Sequence, residues 1–169
     1  MKRSNTFKIV LKQVGSLLIL LGFVVAIPAI IAAIYTEWYS VAGFLLSALI
    51  IMGTGLLLFK GFYHVEEPRF NHSLIIAATG WLGIAILGGL PFLIIAFITP
   101  VDVMNQFIPN DVTYTFSSLV YFRNPLHCFF ESMSAYTTTG LSMAVHEPSV
   151  GKGVLFIAIS PNGSAVQGL

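Results

Sequence analysis

The sequence predicts an all-α integral membrane protein with three transmembrane helices. Of its 169 residues, 56% are hydrophobic and only 9% are charged, whereas a soluble domain carries about 25% charged residues. Three runs without a charged residue cover positions 14–34, 39–59 and 73–101. A helix rises about 1.5 Å per residue, so about 20 residues cross the hydrocarbon core. Each run is therefore long enough to span a bilayer.

The three runs and the basic residues predict the organisation and orientation of the chain. Positions 1–60 hold two spanning helices, and 61–155 hold the third with a short helix and a loop. Basic residues flank the cytoplasmic ends of spans, and here they are Lys2, Arg3, Lys8 and Lys12 before the first run and Lys60 and Arg69 after the second. We therefore expect a multi-pass protein of a cell membrane, such as a bacterial inner membrane, with a cytoplasmic N-terminus. The first run exceeds the ~7–15 apolar residues of a signal peptide, which favours an uncleaved span.

Composition argues against several other classes of function. The net charge of +1 gives no sign of nucleic-acid binding. The single cysteine, Cys128, cannot form an internal disulfide, and the four histidines lack metal-ligand spacing. Residues 140–142 lack the flanking glycine of a nucleophile elbow, and residues 151–153 lack phosphate-loop spacing. We therefore expect no enzyme activity, no catalytic residue and no cofactor.

Glycine and proline interrupt the third apolar run. The segment 88–91 reads Gly-Gly-Leu-Pro, and proline removes one helical hydrogen bond and clashes with the preceding turn. An interruption of the helix is expected here. It is either an ordinary kink of a membrane helix or a functional hinge.

A short helix is predicted over residues 125–136. Asn124 is a favoured N-cap and Pro125 a favoured first helical residue. Twelve residues measure about 18 Å, which is too short to cross a bilayer. A short apolar helix followed by small residues is typical of a re-entrant segment that enters and leaves from one face, here the outside.

The loop after this helix contains the candidate ion ligands. Potassium filters replace the water of the ion with backbone carbonyl oxygens. Thr137, Thr138 and Thr139 favour extended backbone and add hydroxyls, and Gly140 permits positive φ. With Leu141 these residues are the predicted filter, and Thr138, Thr139 and Gly140 are the predicted K⁺ ligands. The alternative is an ordinary polar loop.

Two residues of the short helix are candidates for filter support. A charge in a membrane helix is costly and usually partnered, so Glu131 should bond to filter backbone or attract cations. Pairing with Arg123 or exposure to water is the alternative. Tyr136 is expected to pack around the filter.

Three segments together resemble the Trk/Ktr potassium-uptake family, specifically the TrkH-type membrane subunit. They are residues 89–92 (GLPF), 129–132 (FFES) and 136–140 (YTTTG). The resemblance implies four membrane–pore–membrane repeats like a potassium-channel tetramer, preceded by two extra helices. Runs 14–34 and 39–59 would be that pair, 73–101 the first outer helix, 125–136 the first pore helix and 137–141 the first filter strand.

The resemblance also implies function and partners. The chain would be the uptake subunit that moves potassium across the bilayer, as a homodimer with a cytoplasmic nucleotide-binding regulatory subunit. Coupling to protons, to sodium or to the membrane potential alone stays open.

The end of the chain departs from the family pattern. A filter needs four strands, and no second Thr-Thr-Gly loop or internal repeat follows. Residues 154–159 are apolar, but 160–164 (SPNGS) indicate a turn, so 156–169 is an atypical tail. We expect a truncated member or fragment that does not conduct alone. The alternatives are a small non-conducting membrane module that binds or regulates a partner transporter, and a homotetramer.

Overall fold

The computed structural model describes residues 6–65, 68, 70–110, 113 and 115–159, and all regular elements in these ranges are helical. The α-helices are α1 (Thr6–Ile34), α2 (Trp38–Gly61), α3 (Phe70–Gly88), α4 (Leu90–Ile98), α5 (Val101–Asn105), α6 (Pro125–Tyr136) and α7 (Lys152–Ile159). Two 3₁₀-helices, Ser118–Arg123 and Glu147–Val150, precede α6 and α7. The turn predicted at 160–164 and the rest of the tail after Ile159 lie outside the described residues.

Three helical segments are long and apolar enough to span a membrane: α1, α2, and the run His72–Ile98 that combines most of α3 with α4. This agrees with the three apolar runs of the sequence, although the boundaries differ. The first helix begins at Thr6 rather than at residue 14. Its basic end contacts the segment after α2, since the Lys12 ammonium donates to the Val65 carbonyl (3.4 Å) and lies 5.7 Å from the centre of the Tyr63 ring.

The predicted outer helix over 73–101 is wrong at both ends. It begins at Phe70, and its last helical residue is Ile98. Thr99 adopts extended backbone (φ −82°, ψ 121°) because the ring of Pro100 disfavours helical geometry in the preceding residue. Pro100 then precedes the separate short helix α5.

The third span is interrupted at Gly89, between α3 and α4. Pro91 in the first turn of α4 has no N–H to donate. The two glycines at the break bring α6 close. A Cβ atom on Gly88 would lie 2.6 Å from the Ser132 hydroxyl, and one on Gly89 would lie 2.9 Å from the Cys128 carbonyl oxygen. The two glycines therefore let α6 pack closely against the third span at this break. Larger side chains at these positions would occupy the space that α6 takes.

α1 and α2 form a tightly packed antiparallel hairpin. A Cβ atom on Gly15 would lie 2.8 Å from the carbonyl oxygen of Gly55, and the reverse distance is the same. Small residues allow such close backbone approach between apolar helices, which raises the van der Waals attraction between them. The apolar side chains of this hairpin form one of the two buried clusters.

The second cluster joins the hairpin to α4, α6 and α7. Phe44, Phe92 and Phe122 are among its largest fully buried side chains. The rings of Phe92 and Phe122 lie 5.3 Å apart, a favourable aromatic distance. This cluster holds the 3₁₀-helix before α6 and the start of α7 against the spans, so it positions both ends of the segment that contains the predicted filter.

Candidate functional site

The start of α6 has the local chemistry that the sequence predicts. The side-chain oxygen of Asn124 accepts a hydrogen bond from the backbone N–H of Leu126 (3.0 Å), and Pro125 is the first helical residue. The helix runs from Pro125 to Tyr136, the bounds predicted for the pore helix. Its existence is thus established, whereas its role in a pore stays a prediction.

The end of α6 differs from the extended backbone expected for the threonines. The N–H of Thr138 donates to the Ala135 carbonyl (3.3 Å), and the N–H of Thr139 donates to the Ser134 carbonyl (3.0 Å). This pair of hydrogen bonds is a Schellman motif, in which the residue after the C-cap adopts left-handed backbone. Thr138 does so, with φ of 54°. Thr138 and Thr139 therefore cap the helix, because their N–H groups bond to carbonyls of its last turn.

Left-handed backbone is strained for a β-branched residue such as Thr138 and costs about 1–2 kcal/mol. Its hydroxyl donates to the Thr137 carbonyl (2.7 Å), which offsets part of that cost. The Thr137 hydroxyl donates to the Met133 carbonyl and lies 2.6 Å from the Thr139 hydroxyl. Gly140 also has positive φ, 75°. The four-residue loop is therefore tightly constrained by local bonds.

The predicted filter residues Thr137 to Leu141 are all exposed. Within the described part of the chain, the carbonyl oxygens of Thr138, Thr139 and Gly140 receive no hydrogen bond. The carbonyl of Thr137, by contrast, accepts from the Thr138 hydroxyl. The three predicted K⁺ ligands thus have carbonyls available to a ligand.

Glu131 anchors the chain directly after the loop. It is 2% exposed, and its carboxylate accepts from the Met143 N–H (2.8 Å) and from the Ser142 hydroxyl (2.9 Å to the nearer oxygen). The backbone bond is to Met143, two residues beyond the predicted filter, so Glu131 anchors the chain after the filter, and its bonding to filter backbone stays a prediction. Arg123, the alternative partner considered, donates through Nε to the Ala96 carbonyl (3.0 Å).

Tyr136 is the last residue of α6 and packs against the break in the third span. Its ring carbon Cε2 lies 2.6 Å from the position that a Cβ atom on Gly88 would occupy. This contact is with α3, and the expectation that Tyr136 packs around the filter stays a prediction. Two turns of α6 are thereby fixed on α3, one through Ser132 and one through Tyr136.

A group of buried serines, which sequence reasoning missed, holds the return segment. The Ser117 hydroxyl donates to the Ser149 carbonyl, and the Ser118 N–H donates to the Ser149 hydroxyl (2.9 Å). The Ser118 hydroxyl accepts from the His146 N–H (2.8 Å). These bonds join the segment before α6 to the segment after the loop. Serine is too common in turns for this pairing to be read from the sequence.

Sequence reasoning also missed the role of Glu37 in the α1–α2 connection. Its carboxylate accepts from the backbone N–H groups of Lys152 (2.6 Å) and Gly153 (3.2 Å), the first two residues of α7. The N-terminus of a helix has unpaired N–H groups and a partial positive charge, so a carboxylate there is stabilising. The helical hairpin is thereby linked to the element that follows the loop.

Among the described residues, no group of three or more histidine, cysteine, aspartate or glutamate side chains could hold a metal ion. A potassium site of carbonyl and hydroxyl oxygens does not require such a group. No protein-family model, curated protein or solved structure matches the chain. Function is therefore inferred from the geometry of α6 and its loop.

Proposed function

We propose that α6 and residues 137–141 form a re-entrant pore helix and ion-binding loop, and that the chain contributes one quarter of a potassium-selective pore. In this proposal it acts as the uptake subunit of a Trk-type system, as the resemblance of residues 89–92, 129–132 and 136–140 suggests. The carbonyls of Thr138, Thr139 and Gly140 bind the ion. Glu131 and Tyr136 hold the loop in place.

The observation that carries the proposal is the level of the loop along the third span. Tyr136 packs against Gly88, which precedes the end of α4 at Ile98 by ten residues. Ten helical residues measure about 15 Å, roughly half of the ~30 Å hydrocarbon core. A loop at that depth fits a re-entrant path. Irregular backbone inside a membrane is tolerated only where protein or a water-filled cavity surrounds it, so the exposed residues 137–141 require neighbouring protein or water there.

The chemistry of the loop favours a cation. Three neighbouring carbonyls without a described donor are oxygen dipoles that can replace water around K⁺. They follow the C-terminus of α6, where the helix dipole carries about half a negative charge. A single loop surrounds an ion on one side only, so three further loops, from other copies or from other segments, complete the pore.

A second candidate function is a non-conducting membrane module that binds or regulates a partner transporter. The exposed apolar side chains of Leu141 and Val145 near the loop, and of Leu126 at the start of α6, favour it. These side chains would meet the same neighbours in a complete pore. The two functions therefore differ in whether the loop responds to potassium.

Thiol labelling of a Thr139→Cys variant in liposomes tests the proposal. The native Cys128 is buried, so the wild-type chain supplies the background. We expect a membrane-impermeant reagent to label position 139 only from the side that labels an Asn105→Cys control on the exposed surface of α5. Potassium should slow labelling at 139 more than sodium does and leave position 105 unaffected.

Two results would contradict the proposal. Labelling of position 139 from the side opposite to position 105 would exclude the re-entrant path. Labelling from the expected side at a rate independent of potassium would support the non-conducting module instead.

A further inference from the structure

A cavity of about 500 Å³ lies at the end of the hairpin, beside the start of α7. Its walls come from the α1–α2 connection, from the end of α5 and from Gly151 and Lys152. α1 ends at Ile34 and α2 begins at Trp38. If these helices cross a bilayer, the cavity therefore opens at the boundary between hydrocarbon and water. It lies on the side where α4 also ends.

The side chains of the cavity suit that boundary. Tyr35, Trp38 and Tyr39 line it and are 48%, 67% and 43% exposed. Tryptophan and tyrosine concentrate at the level of lipid headgroups, because their rings are apolar while their N–H and O–H groups favour water. Phe107 adds a further aromatic wall.

The cavity is lined by one acidic and one basic side chain, Glu37 and Lys152, which differ in their partners. The Glu37 carboxylate is held by the N–H groups of Lys152 and Gly153 and by the positive end of α7. The Lys152 ammonium, in contrast, has no partner among the described residues. Lysine binds phosphate as a compact point charge. The formal charges of Glu37 and Lys152 cancel, so the feature of the cavity that can bind an anion is the Lys152 ammonium without a described partner, beside an aromatic wall.

We propose that this cavity binds the headgroup of an anionic phospholipid. The phosphate contacts the Lys152 ammonium, and the glycerol and upper acyl chains lie against Trp38 and Tyr35. The lipid would then contact the hairpin and the start of α7 together. This inference does not depend on the proposed potassium function, because it uses none of the residues of the loop.

Lipid binding to the purified full chain in detergent tests the proposal, with phosphatidylglycerol and phosphatidylcholine as probes and native mass spectrometry as the readout. We expect phosphatidylglycerol to bind more tightly, and Lys152→Gln to weaken its binding by about tenfold, as for one lost charge-assisted contact of about 1.4 kcal/mol. The substitution keeps the backbone N–H that bonds to Glu37, so the fold is retained. Trp38→Ala should weaken both lipids.

Lys60→Gln is the matched control, since Lys60 is exposed and lies at the opposite end of α2. It should leave lipid binding unchanged. Equal losses in the two lysine variants, or equal affinity of the wild type for both lipids, would overturn the proposal. Displacement of the lipid by an equal concentration of glycerol phosphate would also overturn it, because the cavity would then bind a soluble anion.

Discussion

Helices α1 and α6 end in the same way, but the residues that follow the two helix ends differ. At the α1 end, the N–H of Thr36 donates to the Ala33 carbonyl, and the N–H of Glu37 donates to the Ala32 carbonyl. Thr36 has φ of 58°, and its hydroxyl donates to the preceding carbonyl of Tyr35 (2.7 Å). The α6 end repeats this arrangement with Thr138.

The two helix ends differ in the path of the chain after each threonine. The Thr36 carbonyl accepts from the Trp38 N–H (3.0 Å), and α2 starts at once. From Thr138 to Leu141 the chain is exposed, and the carbonyls of Thr138, Thr139 and Gly140 receive no hydrogen bond among the described residues. A strained threonine is therefore a way to end a helix in this protein and is not by itself a mark of an ion site. The exposed carbonyls that follow Thr137, which receive no hydrogen bond among the described residues, distinguish the α6 end.

Each of the two helix ends has a glutamate in or next to it whose carboxylate accepts hydrogen bonds. The two glutamates differ in how far along the chain their bonding partners lie. Glu131 lies in α6 itself and bonds 11 and 12 residues along the chain, to Ser142 and Met143. Glu37 bonds to Lys152, 115 residues away. The first carboxylate shapes a local loop, whereas the second holds two distant elements together.

Glu131→Ala should produce the largest effect. The N–H of Met143 and the hydroxyl of Ser142 lose a buried charged acceptor, so the free energy of local opening should fall by about 3 kcal/mol. Amide hydrogen exchange of Met143 should accelerate roughly 100-fold. Glu131→Gln keeps one side-chain oxygen as acceptor and should show a smaller increase. Unchanged exchange at Met143 in both variants would contradict the anchoring role.

Glu37→Ala should have the next largest effect, at the start of α7. Two backbone N–H groups lose their acceptor, which lowers local stability by about 1.5 kcal/mol. Amide exchange of Gly153 should therefore accelerate by about tenfold, while exchange of Met143 stays unchanged. Asp102→Ala removes an exposed acidic residue from the neighbouring α5 and serves as the control. Equal acceleration in the control would show a general charge effect instead of a specific contact.

Thr36→Gly and Thr138→Gly should have the smallest effects on stability. Glycine adopts left-handed backbone without strain, but it loses more chain entropy on folding, so each variant should gain only about 0.5 kcal/mol. Thermal unfolding in detergent measures this gain. The two variants should differ in the Thr139→Cys labelling assay, because Thr138→Gly removes the hydroxyl bond to the Thr137 carbonyl and loosens the loop of proposed ion ligands, whereas Thr36 lies outside that loop. If Thr36→Gly alters the potassium effect as much as Thr138→Gly does, the distinction between the two helix ends fails.

Features that depend on neighbouring residues were predictable. The absence of charge over about 20 residues identified all three spans, and the pair Asn124–Pro125 identified the start of α6. The left-handed backbone at Thr138 was missed because β-branched residues rarely adopt it and glycine usually marks such a position. The end of the third span was placed too late because Pro100 was counted within an apolar run.

The sequence by itself determined that the chain is helical, which stretches can span a membrane, and that a short capped helix precedes a threonine-rich loop. Each of these properties depends on residues that are adjacent in the sequence, so it can be predicted without knowing the fold. Only the tertiary structure decided that α6 sits at the Gly88–Gly89 break, that Glu131 bonds to Met143, and that Glu37 bonds to the start of α7. Such contacts depend on how the helices pack, because packing brings together groups that are far apart along the chain.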